Sequence, residues 1–231
     1  MSQEIIEGFK QTEADLPDCV RIEYDTRDLG FERFWENRPP EGTPGVVIMP
    51  KWDRYFLVGG PSRNGDHQHG VRRPALDAWP EMDAFLGRFP GQVARALVGI
   101  LPADAGINAH KDGLELHSDA PLGGYGHFVK CARFHVPLKV DPESRFFVND
   151  RIYHFDEGEL WFFRNMKAHG ASNWRGETAR AHLVFDVMPT PETLELIATG
   201  QAVEGCTDPD TIRHYWPRDP FHGYSPEAQP A

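Results

Sequence analysis

"ARAHLVFDV", residues 179–187, alternates as an extended chain does: Arg180, His182 and Val184 fall on one face, Ala181, Leu183 and Phe185 on the other. "KCARFHVPL", residues 130–138, repeats the arrangement, sending Cys131, Arg133 and His135 one way and Ala132, Phe134, Val136 and Leu138 the other. Each strand thus has an apolar face suited to packing and a face bearing Arg-x-His. If the polar faces turn into a barrel interior, the guanidinium groups call for an acid, because a buried cation without a partner is expensive. The bland alternative is that Arg-x-His marks the solvent side of a strand.

Working outward, short strand-like runs begin at about residue 92: "VARALVGIL" (93–101), "INAH" (107–110), "RFFVND" (145–150), "RIYHF" (151–155) and "ELWFFR" (159–164). Glycine, asparagine, aspartate and proline separate them, a cadence that predicts an antiparallel sandwich or barrel rather than alternating parallel β-α units. Upstream, "ENRPPEGTPG" (36–45) interrupts regular structure, and "VVIMP" (46–50) and "RYFLVGG" (54–60) read as strands. "PSRNGDHQHGVRRP" (61–74) has turn composition. "ALDAWPEMDAFLGRF" (75–89) carries an interrupted helical spacing of Leu76, Trp79, Met82, Phe85 and Leu86. After Pro189, "PETLELIATG" reads as a helix followed by a proline-rich tail. The expected organisation is one domain: a helical or mixed part over 1–91, a β core over 92–188, and a helical extension and tail over 189–231.

Composition narrows the function. With 40% hydrophobic residues and no apolar run near the roughly 18 needed to span a bilayer, the chain reads as globular, without a membrane partner. The acidic start lacks the features of a secretory or mitochondrial leader, so the expected location is the cytoplasm. Cys19, Cys131 and Cys206 are odd in number and far apart, which favours reduced thiols. A net charge of −11 with scattered arginines disfavours nucleic acid.

The chemistry centres on "INAHKDG", residues 107–113. Histidine followed two residues later by aspartate occurs three times, at His110/Asp112, His117/Asp119 and His154/Asp156, so the bare pattern says little. The first pair gains from its setting at the end of a strand, where residues i and i+2 face the same way about 7 Å apart and can reach one ion. A facial triad needs a second histidine from a distant strand. His169, in "FRNMKAHGASNW", supplies it just ahead of the long final strand. Arg180 and Arg133, with His182 and His135, then form an anion receptor beside the metal. Trp161, Phe162 and Phe163 offer dry walls, although alternation allows only some of them to face inward. Asn64, His67, His69, Arg72 and Arg73, with Trp161, are candidate substrate contacts; a solvated loop would look the same.

In "LPADAGINAHKD", "ARFHVPLKV", "FDEGELWFFRNMKAHGASNW" and "RAHLVFDVM", the stretch from about Ile100 to Met188 resembles the aspartyl/asparaginyl β-hydroxylase family of iron(II)- and 2-oxoglutarate-dependent dioxygenases, which includes proline hydroxylases. The resemblance implies a mainly β fold, a cupin-like jelly-roll (double-stranded β-helix) core with flanking helices. It implies His110 and His169 as iron ligands, with Asp112 completing the triad as in the proline hydroxylases, and Arg180 on the distal carboxylate of 2-oxoglutarate. Arg133 and His135 match a family position lining the co-substrate site. The implied activity is hydroxylation, with O2, of an amino acid that is free, peptidyl or carrier-bound. The long insertion between Asp112 and Arg133 departs from the pattern. Two readings from other classes stand beside it: a non-catalytic cupin-like metal- or anion-binding protein, and a metal-free barrel isomerase with His110 or His169 as base.

Overall fold

The alternation at 179–187 is realised in a strand buried on both faces, and the rest of the molecule is arranged around it. The computed structural model describes residues 16–48, 52–61, 67–110, 131–165 and 167–209. In chain order the elements are β1 (Cys19–Ile22), α1 (Phe31–Glu36), β2 (Val46–Val47), β3 (Asp53–Pro61), β4 (His67–Arg72), α2 (Pro74–Asp77), α3 (Pro80–Arg88), β5 (Gln92–Leu101) and β6 (Gly106–His110). There follow β7 (Ala132–Lys139), β8 (Arg145–Val148), β9 (Arg151–Tyr153), β10 (Leu160–Phe163), β11 (His169–Ser172), β12 (Arg180–Met188), α4 (Pro191–Ala198) and β13 (Gln201–Ala202). The major sheet runs β13-β1-β10-β7-β12-β5-β3-β2, with β4 also on β3; the minor sheet runs β6-β11-β8-β9. The pairings are antiparallel, and the architecture is a double-stranded β-helix of the cupin type with flanking helices.

Two apolar layers hold the sheets in place. On the outer face of the major sheet, Ala132, Phe134, Val136, Ala181, Leu183, Phe185 and Val187 pack against Phe31, Phe34, Trp79, Met82 and Phe85 of the helical segments. Each fully buried large side chain contributes on the order of 1.5–3 kcal/mol. Leu76, Trp79, Met82, Phe85 and Leu86, the interrupted helical spacing, are all buried; the interruption is the restart at Pro80, which opens α3 where its missing N–H costs nothing. Between the sheets, Leu101, Trp161 and Phe163 meet Phe146, Val148 and Ala171. Of the three aromatics proposed as dry walls, Trp161 and Phe163 face this interior and Phe162 the outer layer.

The structure adds strands where the sequence suggested none. Residues 67–72, inside the stretch of turn composition, form β4; its backbone pairs with β3 across a register shift, and Gly70 supplies a φ of 67°. β1 joins the major sheet from the segment 1–44, pairing with β10 and β13.

Asp141 fixes the entry to β12. Its carboxylate accepts from the backbone N–H of Glu143, Glu177 and Thr178, each at 2.9 Å, and from Thr178 Oγ1 at 3.0 Å, tying the turn after β7 to the residues just before Arg180. Burial pushes this carboxyl up, but the four donors outweigh it and hold it below its ordinary 3.8. Asp141→Asn is expected to lower stability at pH 7 by ~1–3 kcal/mol in urea unfolding. Because the native pKa is depressed, the carboxylate's contribution is present above 3.8 and lost as pH falls through the lower native value, so the two proteins converge in acid.

Candidate functional site

His110 ends β6 and His169 begins β11, and the two are direct cross-strand partners. A register shift follows His169, and Gly170 there lies so close to β6 that a Cβ would stand 2.7 Å from the carbonyl oxygen of Ile107. The imidazole centroids are 4.3 Å apart at 52°. Each ring bonds the carbonyl two residues before it through Nδ1: His110 to Asn108 at 2.8 Å and His169 to Lys167 at 2.9 Å. A carbonyl only accepts, so the proton of each neutral ring sits on Nδ1 and the lone pair on Nε2, the tautomer of a metal-ligating histidine. His169 is buried and His110 half-buried. Among the described residues no group of three or more His, Cys, Asp or Glu side chains is placed to hold a metal. Asp112 lies outside the described residues, as do His117 and Asp119. His154 and Asp156 sit on a turn, with Nε2 3.3 Å from Oδ1 and the pair largely exposed.

Behind His169, Phe163 meets the ring edge-on at 4.8 Å. His135, on β7, touches the same Phe163 at 4.9 Å and Phe146 at 5.3 Å. His182, on β12, stands 5.8 Å from His135 and lies roughly parallel to Phe155, which stacks on Trp161 at 4.3 Å. Burial, then the charge of Arg180, push both imidazoles well below 6.5, so both are neutral. His135 Nδ1 and His182 Nε2 are buried without a hydrogen-bond partner among the described residues. Gly99, opposite His182 across β5, gives room to Trp52: a Cβ there would lie 2.6 Å from the indole nitrogen.

Arg180 opens β12, is 4% exposed, and donates from Nη2 to His182 Nδ1 at 3.0 Å. No carboxylate of the described residues pairs with it, and burial alone lowers it to about 9. Arg133 is held differently. Its Nε and Nη2 grip Asp186 at 2.6 and 3.2 Å, and Arg95 Nε approaches the same carboxylate at 2.8 Å. The two Arg-x-His strands do face one interior, but they do not present two equivalent guanidiniums to a ligand. Asp186 is the residue the sequence reading stopped short of: it continues the series 180, 182, 184 by one step and lies opposite Arg133 and Arg95.

The candidate substrate residues are scattered. Trp161 belongs to the inter-sheet core and donates from Nε1 to Glu159 at 2.9 Å. Arg72 is exposed and paired with Asp77 and Asp83. Arg73 is buried, its Nε donating to Gly59 O at 2.6 Å and its Nη2 to Gly60 O at 3.2 Å. His67 and His69 lie on β4, and His69 is half-buried. Asn64 lies outside the described residues.

A model of the family described as "Aspartyl/Asparaginyl beta-hydroxylase" matches residues 22–190. Among solved structures, the chain resembles an oxidoreductase of the 2OG-Fe(II) oxygenase family from Burkholderia pseudomallei at 12% identity, covering 88% of this chain and 93% of that one with a TM-score of 0.51. Also similar are the viral collagen prolyl hydroxylase of Paramecium Bursaria Chlorella virus-1 in its 2OG complex (11% identity, 75% and 97% covered, TM-score 0.45) and HygX from Streptomyces hygroscopicus with nickel and 2-oxoglutarate bound (13%, 91% and 99%, 0.44). No curated protein matches the sequence. The match begins in β1, well before the stretch that carried the sequence resemblance, and takes in His110, His169 and Arg180: the chain belongs to the aspartyl/asparaginyl β-hydroxylase family.

Proposed function

We propose that this protein is an iron(II)- and 2-oxoglutarate-dependent dioxygenase that hydroxylates an amino acid, free, peptidyl or carrier-bound. One observation carries the reading: two cross-strand imidazoles, each with its lone pair on Nε2, share a barrel interior with a buried guanidinium that has no carboxylate partner among the described residues. The donor set fits the metal. His110 and His169 would supply two nitrogens and Asp112, outside the described residues, the carboxylate of a two-histidine, one-carboxylate set. Bound there with 2-oxoglutarate and O2, iron(II) would supply the oxidation that yields succinate and carbon dioxide and places one oxygen atom in a substrate C–H bond.

The chain's own residues bind, orient and keep the site dry. Arg180 offers a planar fork to the acid end of 2-oxoglutarate, in surroundings where the charge gains most from a partner. The carbonyls of Asn108 and Lys167 fix the ligand rings. Phe163, Phe146 and Phe155 exclude water from the space around His169 and His182. Since Arg133 is gripped by Asp186, the acid-anchoring role falls to Arg180.

The test is anaerobic addition of iron(II) and 2-oxoglutarate to the full chain, followed by oxygen and an amino-acid and peptide panel screened by mass spectrometry for a gain of one oxygen. A visible charge-transfer band that decays with succinate release is expected, and Asp112→Ala is expected to weaken iron binding strongly. A protein that chelates the pair but never couples oxygen uptake to succinate is a binding barrel. One that shows no band yet isomerises a substrate uses His110 or His169 as a base.

A further inference from the structure

Asn173 stands where the segments bearing His110, His169 and Arg180 meet. It follows β11 directly, in the same short stretch as His169, and has no exposure. Its backbone N–H donates to Ala105 O at 2.8 Å and its carbonyl accepts from Asp104 N–H at 3.0 Å, which straps to it the turn leading into β6 and His110. Its side-chain Nδ2 donates to Pro102 O at 3.0 Å and to Thr178 O at 2.7 Å, with Leu101 O third at 3.4 Å. Leu101 is the cross-strand partner of Arg180, and Thr178 lies just before Arg180 in the chain. Carbonyl oxygens only accept, so the amide nitrogen faces them and the orientation of the side chain is fixed. The other atom, Oδ1, is buried without a hydrogen-bond partner among the described residues. Gly176 makes room for it: a Cβ there would stand 2.5 Å from Oδ1. A buried acceptor left alone costs free energy. The amide thus gives up one of its own atoms to secure the two chain segments that flank Arg180.

The proposed ligand gives that tie a use. A keto acid held by its keto end beside His110 and His169 reaches Arg180 only if the gap matches its length. We infer that Asn173 is a positioning residue that sets the separation between the two histidines and Arg180, and with it the length of diacid the site accepts. This rests on the proposed binding of 2-oxoglutarate. Asp141 also holds Thr178, but its carboxylate ties that residue to the turn after β7 rather than to a histidine strand. Asn173 supplies the tie to both histidine strands.

Asn173→Ala removes the amide and keeps the backbone bonds to Asp104 and Ala105. Calorimetry on the nickel(II)-loaded full chain compares 2-oxoglutarate with 2-oxoadipate, one methylene longer, and with 2-oxopentanoate, which lacks the far carboxylate. The wild type is expected to prefer 2-oxoglutarate over 2-oxoadipate, and Asn173→Ala to reduce that preference about tenfold. Affinity for 2-oxopentanoate is expected to stay within about threefold, because β6 and β11 still pair the histidines. Met82→Ala, a cavity in the outer apolar layer, is expected to lower stability and leave the preference as it is in the wild type. Gly176→Ala drives a methyl against Oδ1, displacing the amide without removing it, and is expected to shift the preference in the same direction as Asn173→Ala. A wild type indifferent to chain length, an unchanged preference in Asn173→Ala, an equal loss for 2-oxopentanoate, or the same shift in Met82→Ala would overturn the inference. Should Asn173→Ala fail to fold, an unchanged preference in Gly176→Ala overturns it instead. A wild type that binds none of the three acids removes the proposed function as well, whereas tight wild-type binding of 2-oxoglutarate without the expected contrast removes this inference only.

Discussion

Arg180→Met is expected to abolish 2-oxoglutarate binding and, in the ligand-free protein, to raise the melting temperature. Both effects come from one cause. Burial lowers this guanidinium far below its ordinary range, to about 9, so keeping it charged inside the barrel at pH 7 costs on the order of 5 kcal/mol. Its hydrogen-bond partner among the described residues is a neutral imidazole, which returns little of that. Methionine fills similar volume without a charge, and such replacements gain ~1–4 kcal/mol where the charge was poorly compensated. The gain is at the low end here, because His182 loses the donor to its Nδ1. Thermal unfolding should therefore move up by ~2 °C or more, while calorimetry finds no acid binding.

The pH dependence carries the same signature. The native, ligand-free protein releases this proton near 9 and the unfolded chain only at much higher pH, so in the window between them the unfolded state binds more protons. Wild-type stability gains a contribution that rises with pH across that window, and Arg180→Met lacks it. Binding of a carboxylate needs the cation, so wild-type affinity should be level below about 9 and fall about tenfold per pH unit above it. An Arg180→Met protein that still binds 2-oxoglutarate, or that melts well below the wild type, would show that the guanidinium serves the fold instead of a ligand.

What could be read from the chain was whatever alternation forces. The series at 130–138 and 179–187 fixed which side chains enter the barrel, because an apolar face must be buried and the period of two then decides everything opposite it. His110 and His169 were legible for a related reason: one ends a strand, the other precedes the last one, and antiparallel pairing brought them into register. The strands that were not legible lack such a signal. β11 is His-Gly-Ala-Ser, four buried residues of weak strand preference held by partners on both sides. β4 carries a glycine with positive φ and joins through backbone pairing. Tertiary context made both. Arg133 shows the complementary limit: its face was right, but its partner was not visible, because Asp186 becomes a neighbour only when β7 and β12 are laid side by side.

Asp186 therefore supports the opposite expectation to Arg180, although both lie on the same face of one strand. Asp186→Ala should destabilise the protein by ~3–5 kcal/mol, read as a lowered urea midpoint at unchanged slope. The carboxylate has no exposure, and it stands between Arg133 on β7 and Arg95 on β5, bonded to the first by two nitrogens and approached by the second at 2.8 Å. Removing it leaves two guanidiniums facing each other across the central strand in a low-dielectric interior, each deprived of the acid that offset its desolvation. Replacing Arg95, Arg133 and Asp186 together by leucine or methionine should recover most of that loss, since a desolvated ion cluster gains little over apolar packing of equal volume. The same reasoning ranks the arginines by function. Arg133→Met should cost stability with a modest effect on 2-oxoglutarate affinity, and Arg180→Met affinity with a gain in stability. Reversed roles would mean that the acid is anchored from β7, and that the carboxylate of Asp186 gives way to it when the ligand arrives.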